Sequence, residues 1–177
     1  MGAAGAGGYR FKQFWNAVTA RVRREELAIL DRYLAPPQRE LFRRLDVADQ
    51  RHSLDVFYAL RGRGYSDREL LQAALLHDIG KSGVKIRLWQ RVALVLIRWL
   101  RPGWVEPLAW GDPYSWRYPF YVQLKHSEMG AEMAARVGAS PGVVALIRDH
   151  QQPRSNRRWH TMEDKLMAAL QWADGIN

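Results

Sequence analysis

Leu75-Leu76-His77-Asp78-Ile79-Gly80-Lys81 is the stretch on which the fold turns. Two leucines lead into an adjacent histidine and aspartate, both of them side chains that ligate cations. Upstream, Ser66-Asp67-Arg68-Glu69 has the layout of a capping box ahead of Leu70, Leu71, Ala74 and Leu75, which predicts a short amphipathic helix ending at the His-Asp pair. Gly80 falls where the end of such a helix favours a left-handed residue. Adjacent helical residues point about 100° apart, so one turn can offer a histidine to one cation and an aspartate toward another.

Outward from this pair the polar residues recur at regular steps. There are 25 residues from His52 to His77, 48 from Asp78 to His126, 24 from His126 to His150 and 24 from His150 to Asp174. A step of that size is about one helix out, a turn and one helix back, which returns successive side chains to the same end of a bundle. The faces agree. His52 is four before Val56, His77 four after Ala73, and His150 three after Ile147. Asp174 continues the row Leu166, Leu170, and His126 is three before Met129. Residues three or four apart share a helix face, so all five point with the apolar stripe toward the interior, where a carboxylate is costly unless paired or bound to a cation.

The rest of the chain is helical in pattern, without sustained alternation or an evident internal repeat. Apolar residues recur through Phe14, Val18, Val22, Leu27, Leu30 and Leu34, Pro36-Pro37 interrupts, and Leu41 and Leu45 resume. Ser140-Pro141 and Thr161 to Asp164 mark two further helix starts. The expected fold is all-α, a bundle of short helices. It comprises a flexible leader (1–8) and one domain (9–177) with N-terminal helices (9–44). The 177 residues contain no cysteine, which excludes disulfides, thiolate metal sites and cysteine nucleophiles. No stretch approaches the ~18 apolar residues of a membrane span and no signal-peptide layout opens the chain, so a cytoplasmic protein, soluble or peripheral to a membrane, is expected. The net charge of +9 favours anionic partners.

His52, the His77-Asp78 pair within its heptapeptide, and Asp174 in Trp172-Ala173-Asp174-Gly175 together resemble the HD superfamily of metal-dependent phosphohydrolases, over roughly Leu45 to Asn177. His126 and His150 resemble its binuclear branch. The resemblance implies that His52, His77, Asp78 and Asp174 hold a first metal, and that Asp78, His126 and His150 hold a second. It also implies that Asp78 and Lys81 serve catalysis, with Lys81 meeting substrate phosphate. After His150 the chain runs Gln151-Gln152-Pro153-Arg154, without the second histidine and Gly-Tyr-Pro element of the cyclic di-GMP phosphodiesterases in that branch.

Nitrogen and oxygen ligands suit one or two divalent ions of iron, manganese, cobalt or zinc. Such ions acidify bound water and clamp phosphoryl oxygens, the chemistry of phosphate-ester hydrolysis. The leading expectation is a phosphohydrolase acting on a nucleotide or another phosphorylated small molecule. A diiron oxygenase could use the same ligands, and a non-catalytic anion- or nucleic-acid-binding protein would share the charge. Arg148 and Arg154, with Arg157 and Arg158, flank His150 and could bind further phosphates; His160 has no partner at the recurring step. An insertion at about 87–120 carries Trp89, Val92, Ala93, Leu96, Trp99 and Leu100 on one face, with Arg87, Arg91, Arg98 and Arg101 nearby and Trp104, Trp110 and Trp116 following. It suits an anionic membrane interface or a cap on the site, or else a core helix or dimer contact.

Overall fold

Pro36 and Pro37 act where the sequence places them. In the computed structural model, α1 (Arg24–Tyr33) stops short of them, and Pro36 opens α2 (Pro36–Arg43) where its missing N–H leaves nothing unpaired. The structure describes residues 22–108, 111–152 and 161–177. The leader, Phe14, Val18, Trp110, Arg154, Arg157, Arg158 and His160 lie outside the described residues. There follow α3 (Val47–Gly62), α4 (Arg68–Leu76), a 3-10 turn (Ile79–Lys81), α5 (Leu88–Leu100), a second 3-10 turn (Pro102–Trp104) and the single-turn α6 (Val105–Leu108). The chain then continues through α7 (Tyr118–Arg136), α8 (Pro141–Asp149) and α9 (Met162–Ile176). No strand occurs among the described residues, as an all-α fold requires.

Two helix hairpins built on one plan form the centre. In the first, α3 ends at Gly64, whose φ of 85° is the left-handed conformation that glycine adopts without a Cβ penalty. Tyr65 N–H donates to Leu60 O (3.1 Å) and Gly64 N–H to Arg61 O (3.0 Å), closing a Schellman motif. In the second, α7 ends at Gly138 with φ 76°, while Ala139 N–H donates to Ala134 O (3.0 Å) and Gly138 N–H to Ala135 O (3.1 Å). The return helices start at Asp67, whose carboxylate accepts from Leu70 N–H (2.9 Å), and at Ser140, whose hydroxyl accepts from Val143 N–H (3.4 Å). Asp67, rather than Ser66, therefore caps α4. Glu69 of the expected capping box instead accepts from the Ser140 hydroxyl (2.5 Å), tying the starts of the two return helices together.

The core lies between these hairpins and α9, with Leu54, Leu60, Leu71, Leu75, Ile147 and Leu170 fully buried. Gly80 departs from the sequence expectation. It is not left-handed, and it lies instead in the 3-10 turn, pressed on α7. A Cβ there would stand 2.0 Å from His126 O and 2.8 Å from Gly130 N, both backbone atoms. Close backbone approach is what glycine supplies here, and it draws Asp78 toward His126.

Ile86, just before α5, and Gln90 and Leu94 within it are buried against the bundle, while Trp89 at the start of the helix is half exposed and only the edge of its ring meets Phe120, with centroids 6.0 Å apart. Arg91 reaches Asp49 on α3 (3.0 and 3.2 Å). The opposite face of α5 is open. Trp89, Val92, Leu96, Trp99 and Leu100 are all exposed, so their stripe is not part of the core.

Candidate metal centre

Three histidines present the same ring nitrogen inward, for the same reason. His77 and His150 follow the last residues of α4 and α8, and His126 lies within α7. In each the Nδ1–H donates to the carbonyl three residues back: Ala74 O at 3.0 Å, Ile147 O at 2.6 Å and Gln123 O at 3.1 Å. These acceptors assign the Nδ1 proton and turn Nε2 toward a common centre. His52 on α3 and Asp174 on α9 complete it, with His52 Nε2 2.9 Å from Asp174 Oδ1 and 3.4 Å from His77 Nε2. All six of His52, His77, Asp78, His126, His150 and Asp174 thus meet at one end of the bundle.

Asp78 stands at the middle, and its two oxygens face different neighbours. Oδ2 lies 3.6 Å from His77 Nε2, 4.0 Å from His52 Nε2 and 2.6 Å from Lys81 Nζ. Oδ1 lies 3.2 Å from His126 Nε2. Ligand atoms close enough to share one ion form the overlapping sets His52-His77-Asp78, His77-His150-Asp174 and Asp78-His126-His150. Asp78 belongs to the first and the last, as a bridging carboxylate would.

The electrostatics differ between the two sides. Burial pushes the His77 imidazole down, but the carboxylates of Asp78 and Asp174 outweigh it and leave its pKa at about 9. Burial opposes charge on both aspartates as well, yet Lys81 and His77 hold Asp78, and His52 and His77 hold Asp174, well below the ordinary carboxylate range. His150 is pushed down to about 3 by burial and by the neighbouring charge of His77. Burial and the Lys81 charge likewise lower His126.

Burial thus favours a neutral His126 ring whose Nδ1 proton goes to Gln123 O, and its buried Nε2 lies 3.2 Å from Asp78 Oδ1 without the geometry of a hydrogen bond. Two acceptors opposed in a buried site repel unless a positive charge lies between them. Asp78, His126 and His150 fit a divalent cation on that ground, and the nitrogen and oxygen donors suit a first-row transition metal.

Lys81 packs its ammonium on Asp78; the Asp78 and Asp49 carboxylates hold its pKa up against burial. It has no lone pair to give a metal. Arg148 is exposed on α8, away from the inward face that carries Ile147 and His150, and Arg154 lies outside the described residues. Three supporting contacts escaped the sequence reading. Asp49 is buried one turn before His52 and binds Arg91, and the Gln171 amide donates to His150 O (3.1 Å) and Gln152 O (2.9 Å). Asp49 had a signal, since it shares the inward row of His52; Arg91 was legible only as one of the arginines beside the apolar face of the insertion, and Gln171 reads as an ordinary helix-surface residue.

The described residues thus define an all-α protein with a His/Asp cluster fit to hold metal. The family model of the HD domain matches residues 50–176, and the chain belongs to the HD-domain family. No curated protein and no solved structure matches it. Among the described residues no helix is long and apolar enough to cross a membrane.

Proposed function

We propose that the protein is a metal-dependent phosphohydrolase acting on a phosphate ester of nucleotide-like size. The observation that carries this is the placement of Asp78, whose two oxygens serve two sets of inward histidine nitrogens. His52, His77, Asp78 and Asp174 would hold one divalent ion, and Asp78, His126 and His150 a second. Bound there, the metal supplies Lewis-acid charge for phosphoryl oxygens and a more acidic water.

The chain's own residues define the approach. His77, Asp78, His126 and His150 are buried and form the floor, whereas the side chains of His52 and Asp174 are 24% and 32% exposed and form the mouth with Lys81. A phosphate entering from that side meets the Lys81 ammonium, which can donate to a phosphoryl oxygen once Asp78 is neutralised by a cation. Ala74 O, Gln123 O and Ile147 O keep three imidazoles from rotating, so their nitrogens are oriented before substrate arrives. A pocket of about 570 Å³ opens two residues beyond Lys81, between Gly83 and Pro119. Its lining includes Lys85, Arg87, Trp89, Trp116 and Tyr118, a mixture that suits the ring and further charge of a nucleotide-like ester.

Metal analysis of the purified protein, followed by a phosphate-ester panel with manganese, iron, cobalt and zinc, tests the proposal. Metal-dependent release of phosphate or of a phosphomonoester is expected. Bound iron with dioxygen consumption and no ester turnover would place the chain with the diiron oxygenases instead.

A further inference from the structure

Nine of the thirteen large exposed apolar or aromatic side chains among the described residues fall between Trp89 and Trp116. On α5 the exposed ones are Trp89, Val92, Val95, Leu96, Trp99 and Leu100. At about 100° per residue they fill one arc of roughly 140° on the side away from buried Gln90 and Leu94. Trp99 is 78% exposed, Leu100 61% and Trp104, in the 3-10 turn that follows, 66%. A contiguous face of this kind is rare on a protein that stays free in water.

The charge beside the face selects its partner. Residues 85–117 carry six Lys or Arg (Lys85, Arg87, Arg91, Arg98, Arg101, Arg117) against two acidic residues, Glu106 and Asp112. Arg91 is held by Asp49, whereas Arg87, Arg98 and Arg101 are exposed and in no ion pair among the described residues. By the same helical geometry, Arg87, Arg91 and Arg98 form a row along one edge of the apolar arc. A second copy docked on this face would bring arginine rows together with little acidic charge to offset them. A bilayer rich in anionic lipid offers hydrocarbon for the tryptophans and leucines and phosphates for the arginines.

We propose that α5 and the turn after it form a membrane-docking surface, which lies in the interface of an anionic bilayer through Leu96, Trp99, Leu100 and Trp104 with Arg98 and Arg101 at the lipid phosphates. The helix is too short to span, so the association is peripheral and reversible. The proposal does not depend on the activity proposed above.

Vesicle flotation of the full chain tests it. The wild type is expected to float with phosphatidylglycerol-rich vesicles at low salt, to remain at the bottom with pure phosphatidylcholine, and to lose much of the partition as salt rises. Arg98→Gln/Arg101→Gln should weaken partition about 30-fold. Trp99→Ser/Leu100→Ser should weaken it as well, with circular dichroism, melting temperature and metal content unchanged in both variants. Wild-type protein that stays at the bottom with phosphatidylglycerol vesicles at low salt overturns the proposal. So does a stable dimer in sedimentation that Trp99→Ser/Leu100→Ser dissociates, because the face would then be covered by a second copy.

Discussion

Asp78 concentrates more of the proposed chemistry than any other residue, and its neighbours determine how it should be tested. Truncation to alanine would leave the part-buried Lys81 ammonium without its partner at 2.6 Å, a loss of stability that would blur any loss of metal. Asp78→Asn keeps the shape and removes the charge. Elemental analysis of that variant should find metal lost from both positions, since both depend on this carboxylate. Retention of a full complement would show that Asp78 does not bridge. Lys81→Ala, in contrast, should leave metal content unchanged and lower ester turnover by roughly ten- to a thousandfold, the range for one charged stabiliser. Unchanged turnover would reduce the Lys81–Asp78 pair to a structural contact.

Two histidines should shape the stability of metal-stripped protein, in opposite directions. His77 keeps its proton in the fold up to about 9, whereas the unfolded chain releases it near 6.5, so its contribution is present at pH 6.5 and lost as the pH rises toward 9. His150 resists protonation in the fold down to about 3, so below pH 6.5 the unfolded chain takes up a proton that the fold refuses and stability falls. Melting temperatures of chelator-treated protein should therefore peak between about pH 6 and 7 and decline on both sides. A steady rise from pH 6.5 to 9 would contradict the arrangement of His77 between two carboxylates.

At the scale of elements, what sets the site is the contact of the 3-10 turn with α7. Gly80→Ala would place a Cβ against the His126 carbonyl and Gly130 N–H, backbone atoms that cannot rotate away. The turn and helix must part, with a cost of at least ~1–3 kcal/mol expected from overpacking. Because Asp78 and His126 ride on the two separated elements, metal affinity should fall together with stability, as calorimetry with and without metal can show. Gly138→Ala strains a left-handed position instead, with nothing within 4 Å of the added methyl. It should cost about 1–2 kcal/mol of stability. Metal content should be unchanged.

The helix hairpins also explain why the spacing was legible. His52 and His126 each lie 12 residues before the left-handed glycine that ends their helix, and the next histidine follows 13 residues after Gly64 but 12 after Gly138. The loop to the Asp67 cap is one residue longer than the loop to the Ser140 cap, which accounts for steps of 25 and 24. No repeat is evident in the sequence because the shared features are a cap, a glycine and a histidine, while the core residues between them differ.

For the molecule as a whole, the helical class, the ends of several helices and the six converging residues could be read from the order of amino acids alone. Those features come from periodicity, capping chemistry and proline, which act over a few residues and are written locally. The sequence reading misjudged the reason for Gly80, because close approach of two backbones involves Gly130, 50 residues away. It left the insertion undecided between core and surface, since a helix with apolar residues on most of its circumference packs equally well either way round. It takes the packed fold to show that Leu94 and Gln90 face the bundle and Trp99 faces outward, that Lys81 pairs with Asp78, and that the two oxygens of Asp78 face different histidines. Each depends on distances between segments remote in the chain, and these are fixed by how whole helices pack.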